Sequence, residues 1–257
     1  MPTEIHPTAI VDPGAELGEN VTIGPYAVIR AGVTLGDGCV VHNHVTLDGP
    51  SEIGPENVFF SHASIGQRTQ DLKYRGEPTW LRIGRGNVFR EFVTVNRATF
   101  PGDATLIGSH GNFLAYSHVG HDCVVGDHCI FSNNGTLGGH VIVGDHVIVS
   151  GLTAVHQFCR IGDHVITGGC SKITQDIPPF MMVDGNPARV RAVNVVGLRR
   201  RGFSEEAIRT AKRAHRKLYR ENLTVSKALE ELAALEDPHG LVAQIVDFVK
   251  ASERGIH

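Results

Sequence analysis

From position 5 onward an aliphatic residue or phenylalanine recurs at every sixth position: Ile5, Val11, Leu17, Ile23, Ile29, Leu35, Val41, Leu47, Ile53, Phe59 and Ile65. The frame resumes at Ile83, Phe89 and Val95, and again from Ile107 to Ile161 and at Ile173. Only Asp71, Glu77, Pro101 and Thr167 break the phase. A small or β-branched residue often stands four positions on, as Ala9, Ala15, Val21, Ala27 and Val33 do. This period fits neither the 3.6 residues of an amphipathic helix nor the two of a half-buried strand. It is the signature of a parallel β-helix, in which each hexad supplies one short strand and a corner. Three hexads close a triangular coil of 18 residues, with the frame residues stacked down its axis.

The repeat predicts a β-helix over about 5–177, inside a first domain of residues 1–190. The segment 67–81 (QRTQDLKYRGEPTWL) lacks the frame, is polar and re-enters in phase, so it reads as a loop ejected from the coil. Long loops on a rigid scaffold tend to carry function. Residues 98–105 read as a shorter excursion. Pro178 and Pro179 cannot supply ladder donors and are expected to stop the solenoid. Beyond them the pattern turns helical. Ser204 is a good N-cap followed by Glu205 and Glu206, which favour the helix dipole. Helices are expected near 204–221, 225–236 and 239–253, making residues 191–257 a small α-helical C-terminal domain.

Charge refines this picture. The net −3 hides a basic segment, 189–220, with eleven Lys or Arg against Glu205 and Glu206; its +9 leaves −12 for the rest. A basic stretch of this kind suits an anionic ligand or an acidic partner. The N-terminus lacks the pattern of a secretory leader, and no run of 18 apolar residues occurs, so a cytoplasmic protein without membrane insertion is expected. Cys39, Cys123, Cys129 and Cys159 each fall four residues after a frame position, where a small interior residue belongs.

The fifteen histidines sort by phase. His110, His128, His146 and His164 are spaced by 18 and should stack along one edge. Ligands for one ion must converge on a point, so this column reads as repetition of a turn and not as a metal site. His121, His140 and His156 sit two, three and one positions after a frame residue, so none points inward. Spacings close to one coil place them near one another on an outer surface, with His118 close by. An imidazole there can take a proton from a hydroxyl nucleophile, and Asp122 can orient the ring.

The stretches QDLKY (70–74), HVGHDC (118–123), GGH (138–140), AVHQFCRIG (154–162), GGCSK (168–172), GNPAR (185–189) and GLRRRGF (197–203) resemble the acyl-carrier-protein–UDP-N-acetylglucosamine O-acyltransferases of lipid A synthesis. These belong to the hexapeptide-repeat acyltransferases, and the match covers essentially the whole chain. The resemblance implies a left-handed β-helix, contrary to the usual crossover rule, and a homotrimer with sites between neighbouring subunits; no cofactor or metal is expected. It implies transfer of a 3-hydroxyacyl chain from acyl carrier protein to the 3-hydroxyl of UDP-N-acetylglucosamine, the first step of that synthesis. His121 would be the general base, supported by Asp122, with the Gly139 N–H facing the oxyanion. His118, His140 and His156 would hold substrate, Asp71 and Lys73 the sugar, and Gln157, Asn194, Arg200 and Arg201 the nucleotide. Gly169 matches the position that gauges acyl-chain length. The chain departs from some relatives at Pro187, where they carry His, and at Val196, where they carry an acid; nucleotide contacts are therefore left open.

Three other readings stand beside this one. The related N-acyltransferase carries an extra N-terminal domain, whereas the hexads here begin at Ile5. A γ-type carbonic anhydrase would bind zinc through three histidines. A binding scaffold would need neither the phase-breaking histidines nor the polar loop. Neither the chain length nor the choice between the 3-hydroxyl sugar and its 3-amino analogue is legible. No nucleic-acid partner is expected.

Overall fold

A computed structural model describes residues 2–257. The hexads wind into a left-handed parallel β-helix with three faces. The first face runs from Glu4–Ile5 to Ile166–Thr167, the second from Ile10–Val11 to Lys172–Ile173, and the third from Glu16–Leu17 to Arg160–Ile161. Register follows the frame: Val119 pairs with Leu137, Leu137 with Val155, and Val155 with Ile173. Frame residues therefore point into one continuous core. Phe59, Phe89, Phe113 and Phe131 are fully buried and stack at 4.8–5.1 Å between ring centroids. Such aromatic pairs contribute about 0.5–1.5 kcal/mol each beyond their area.

The corners explain the rest of the hexad. The residue three positions after the frame takes a left-handed conformation, as at His110, His128, His146 and His164, with φ of 55–59°. Non-glycine residues meet a cost of about 1–2 kcal/mol there. Stacking offsets it: those four imidazoles lie 4.7–5.1 Å apart along one edge. On another edge Tyr26, His44, His62, Phe92 and Tyr116 form a similar ladder. Cys39, Cys123, Cys129 and Cys159 are fully buried, and burial pushes the Cys123 thiol up to about 12. Thr167, the polar frame residue, is buried too, its hydroxyl accepting from the Ser150 N–H.

The solenoid does not stop at the two prolines. Met181–Asp184 pairs parallel with Ile166–Thr167 and turns back into the antiparallel strand Arg189–Val193, extending the first face. A short helix missed by the sequence reading follows, α1, Val195–Arg200, capped by the Asn194 side chain. Then come α2 (Glu205–Tyr219), capped by Ser204, α3 (Val225–Ala233) and α4 (Leu241–Lys250). The C-terminal His257 ring accepts from the Thr174 and Gln175 N–H groups, tying the chain end onto the last coil.

Candidate active site

Two loops leave the coil on successive turns of one edge and close over a third. The first spans residues 68–79, between strands Ser64–Gln67 and Trp80–Ile83. The second follows Thr94–Asn96 and ends at Ala104–Ile107. Backbone bonds join them: Arg97 donates to Gln67, Ala98 to Trp80, and Gly102 to Pro78. The next corner on that edge is Gly120 to Cys123, and the two loops meet at His121.

The His121 Nδ1 lies 2.7 Å from Asp122 Oδ2 and 3.0 Å from Thr99 Oγ1. Asp122 is fixed in turn by the N–H of Thr99 on its Oδ1, 3.0 Å away, while its own N–H donates to Thr105. Burial alone would raise its carboxyl, but hydrogen bonds from His121 and Thr99 and the nearby His140 imidazole hold it below the usual carboxylate range. An ionised Asp122 needs a donor, so Nδ1 carries the imidazole proton and Nε2 presents the lone pair. Buried Thr69 extends the chain: its hydroxyl is 2.9 Å from that of Thr99 and accepts from the Asp71 N–H. Loop position and ring position are thereby coupled.

Gly139 lies one coil after His121 at the same corner position. A Cβ there would collide with the His121 ring, so the imidazole rests where a side chain would otherwise be. Its N–H has no partner among the described residues. His140 meets the His121 ring edge-on at 5.3 Å and stacks on Phe158 at 4.7 Å. One donor atom each from Asp71, His121 and His140 fall within 4.8 Å of one another. His118 bonds Thr94 through Nδ1 at 2.7 Å; burial, then the charge of His121, push it below the usual imidazole value. A cleft of about 590 Å³ opens beside Asp71 and Asn96, and another of about 580 Å³ runs from His140 past Arg160 to Arg254.

The other expected residues are distributed differently. Lys73 is exposed on the loop, its N–H bonded to Asp71 Oδ1. His156 does not continue the column of His121 and His140. It is exposed, its Nδ1 against its neighbour's carbonyl; Phe158 and Gln157 occupy the positions one coil beyond His140 and Gly139. Two residues span a third of a hexad, so separations within two residues of a coil do not put side chains in one column. Asn194 spends its amide on Gly197 and His164, so it holds α1 in place. Arg199 forks onto Glu205, and Arg201 donates to the His146 carbonyl; of the triple run, Arg200 is exposed and its side chain has no hydrogen-bond or ion-pair partner among the described residues. Gly169 is exposed at a corner following the first face, whereas His121 follows the second. One hexad therefore separates their edges, up to about 20 Å of extended chain. Thr69 and Thr99 were missed; their signal was position, since each lies in a segment where the frame fails.

Comparison with known proteins bears on the chain as a whole. Residues 14–49 match the bacterial transferase hexapeptide family, and 176–257 match domain 2 of the UDP-N-acetylglucosamine O-acyltransferases. The solved UDP-N-acetylglucosamine acyltransferase of Bacteroides fragilis superposes with a TM-score of 0.95 at 38% identity, covering 98% of this chain and 99% of its own. An acyl-[acyl-carrier-protein]–UDP-N-acetylglucosamine O-acyltransferase of Paracidovorax citrulli is 51% identical over 99% of both chains. That of Akkermansia muciniphila is 58% identical over 98% of both. Identity at this level, unbroken from the first coil to the last helix, means that the chain belongs to the acyl-[acyl-carrier-protein]–UDP-N-acetylglucosamine O-acyltransferase family.

Proposed function

We propose that this acyltransferase moves a 3-hydroxyacyl chain from the thioester of acyl carrier protein to the 3-hydroxyl of UDP-N-acetylglucosamine, opening lipid A synthesis. The carrying observation is the anchored His121: Nδ1 is held by Asp122, Nε2 is free, and the unpaired Gly139 N–H lies beside it. His121 Nε2 takes the proton of the sugar hydroxyl as its oxygen attacks the thioester carbonyl. The Gly139 N–H receives the developing oxyanion, a role of a few kcal/mol for such donors. Collapse expels the thiolate, which recovers the proton from His121. The acyl chain passes directly, with no covalent enzyme intermediate.

Asp71, Lys73, His118 and His140 surround the sugar in this reading. Gln157 and Arg200 face the nucleotide, with Arg201 and Asn194 shaping the support beneath. His156, exposed on the coil after that of His140, would reach substrate only at the rim of the site. Gly169 sets chain length from a different edge, so we assign it to a neighbouring subunit of a homotrimer, as cyclic symmetry permits. The protein's acidic donor suits the basic segment 189–220. No helix among the described residues is long and apolar enough to cross a membrane. The decisive experiment is product identification by mass spectrometry, offering UDP-N-acetylglucosamine and its 3-amino analogue with acyl carriers of graded length. An O-linked 3-hydroxyacyl product is expected. Turnover of the amino sugar alone would overturn the acceptor assignment.

A further inference from the structure

The three side chains at the mouth of the site form a donor set that general-base catalysis does not require. Asp71, His121 and His140 bring one carboxylate oxygen and two ring nitrogens within 4.8 Å of one another. All three are half-buried, so they face a space open to solvent. Each is held in advance. Asp71 Oδ1 accepts from the Lys73 N–H at 2.8 Å, and the Asp71 N–H is fixed on Thr69. His121 is anchored through Nδ1 on Asp122, the carboxylate–histidine pair that orients a metal-bound imidazole and raises the basicity of its other nitrogen. His140 is clamped by its stack on Phe158.

We infer that Asp71, His121 and His140 form an inhibitory site for a borderline divalent cation, Zn²⁺ foremost, which competes with the sugar for the mouth of the active site. Two imidazoles and a carboxylate with a fourth, open position are a donor set that Zn²⁺ accepts. Bonds of about 2.0–2.2 Å place tetrahedral donors about 3.4 Å apart, so closure asks the three groups to draw in by no more than about 1 Å. The hard cations Mg²⁺ and Ca²⁺, which want oxygen donors, do not suit the two nitrogens. A bound ion occupies the His121 lone pair, and the base is lost. That consequence rests on the proposed role of His121; the binding itself does not.

The test uses metal-free protein carrying Cys170→Ser, which removes the exposed thiol. Zn²⁺ is titrated calorimetrically without substrates, and Co²⁺ is followed by visible absorption. One equivalent should bind with Kd at or below about 10 µM, and the Co²⁺ spectrum should lack a thiolate charge-transfer band. Asp71→Asn and His140→Gln, checked for an unchanged melting temperature, should each weaken binding at least about tenfold. Zn²⁺ should inhibit acyl transfer over the same range, competitively with the sugar nucleotide. A wild-type Kd above about 1 mM, or equal affinity in both variants, overturns the site. Binding that leaves turnover unaffected overturns the inhibition. If the metal-free protein turns over no sugar nucleotide while the variants still lose Zn²⁺, the acyltransferase reading fails and the cation site stands.

Discussion

At the scale of residues, the site depends on one absent side chain as much as on those present. The His121 ring occupies the space a Cβ at position 139 would take. Gly139→Ala keeps an unstrained backbone but must push the ring away from its productive position. Displacements near 1 Å can cost about 100-fold in rate. The expected outcome is a kcat reduced at least tenfold with the melting temperature little changed, read from steady-state kinetics and calorimetry. On the proposed mechanism His121→Ala removes the general base and should lower the rate by about 10²–10⁴. Retention of more than about a tenth of wild-type turnover would remove His121 from the chemistry. Arg200 and Arg201, adjacent in sequence, should separate in the same way. Arg200→Glu should raise the KM for a substrate at low salt, where exposed charges act most strongly, without affecting stability. Arg201→Glu should lower the melting temperature, since its guanidinium holds the His146 carbonyl.

At the scale of elements, the imidazole column couples the coil to the C-terminal helices. His164 stacks on His146 at 4.9 Å, lies against Phe180 and meets Phe203 edge-on. Burial first, then the charges of His146 and Arg201, push its pKa down to about 4. The folded protein therefore holds His164 neutral, while the unfolded chain takes up a proton near pH 6.5. Between those values the unfolded state binds more protons. Stability is fully present above about pH 6.5 and is lost as pH falls toward about 4. Phe92 and Phe158 already adopt the same left-handed corner conformation within ring stacks, so His164→Phe is compatible with the backbone. Its melting temperature should fall less steeply than that of the wild type between pH 7 and 5. His118, His146, His215 and His257 are depressed in the same direction and should leave a residual slope.

At the scale of the whole molecule, the separation of Gly169 from His121 makes a prediction about assembly. Gly169→Met should shorten the accepted acyl chain, because each excluded methylene forfeits about 0.8 kcal/mol of burial. The measurement is competition between acyl carriers of increasing length. His121→Ala should be inactive with every donor. If the ruler is supplied by a neighbour, mixed oligomers of the two variants contain interfaces that pair an intact His121 with an intact Gly169. Co-expression should then restore turnover of the long donor that neither variant handles alone. Absence of restored turnover in oligomers verified as mixed would place Gly169 and His121 in one subunit's site.

The sequence alone determined the β-helix, because a period of six reports directly which side chains share the axis of the coil. It also singled out His121 as the candidate base: the residue stands outside the inward frame, beside a carboxylate, in a repeat that otherwise places histidines at fixed corners. Three features were decided only in three dimensions. The relay from Thr69 through Thr99 to His121 joins residues up to 52 positions apart in loops that carry no period. The offset of His156 from His121 and His140 depends on its place within the corner, where a shift of one residue turns a side chain away, and the separate edge of Gly169 depends on which of three faces its corner follows. The extension of the sheet past Pro178 and Pro179 arose because the hairpin Met181–Val193 restores ladder donors after the prolines. A repeat fixes the scaffold through local packing rules, whereas the site forms where those rules are interrupted, and there only long-range contacts determine which groups meet.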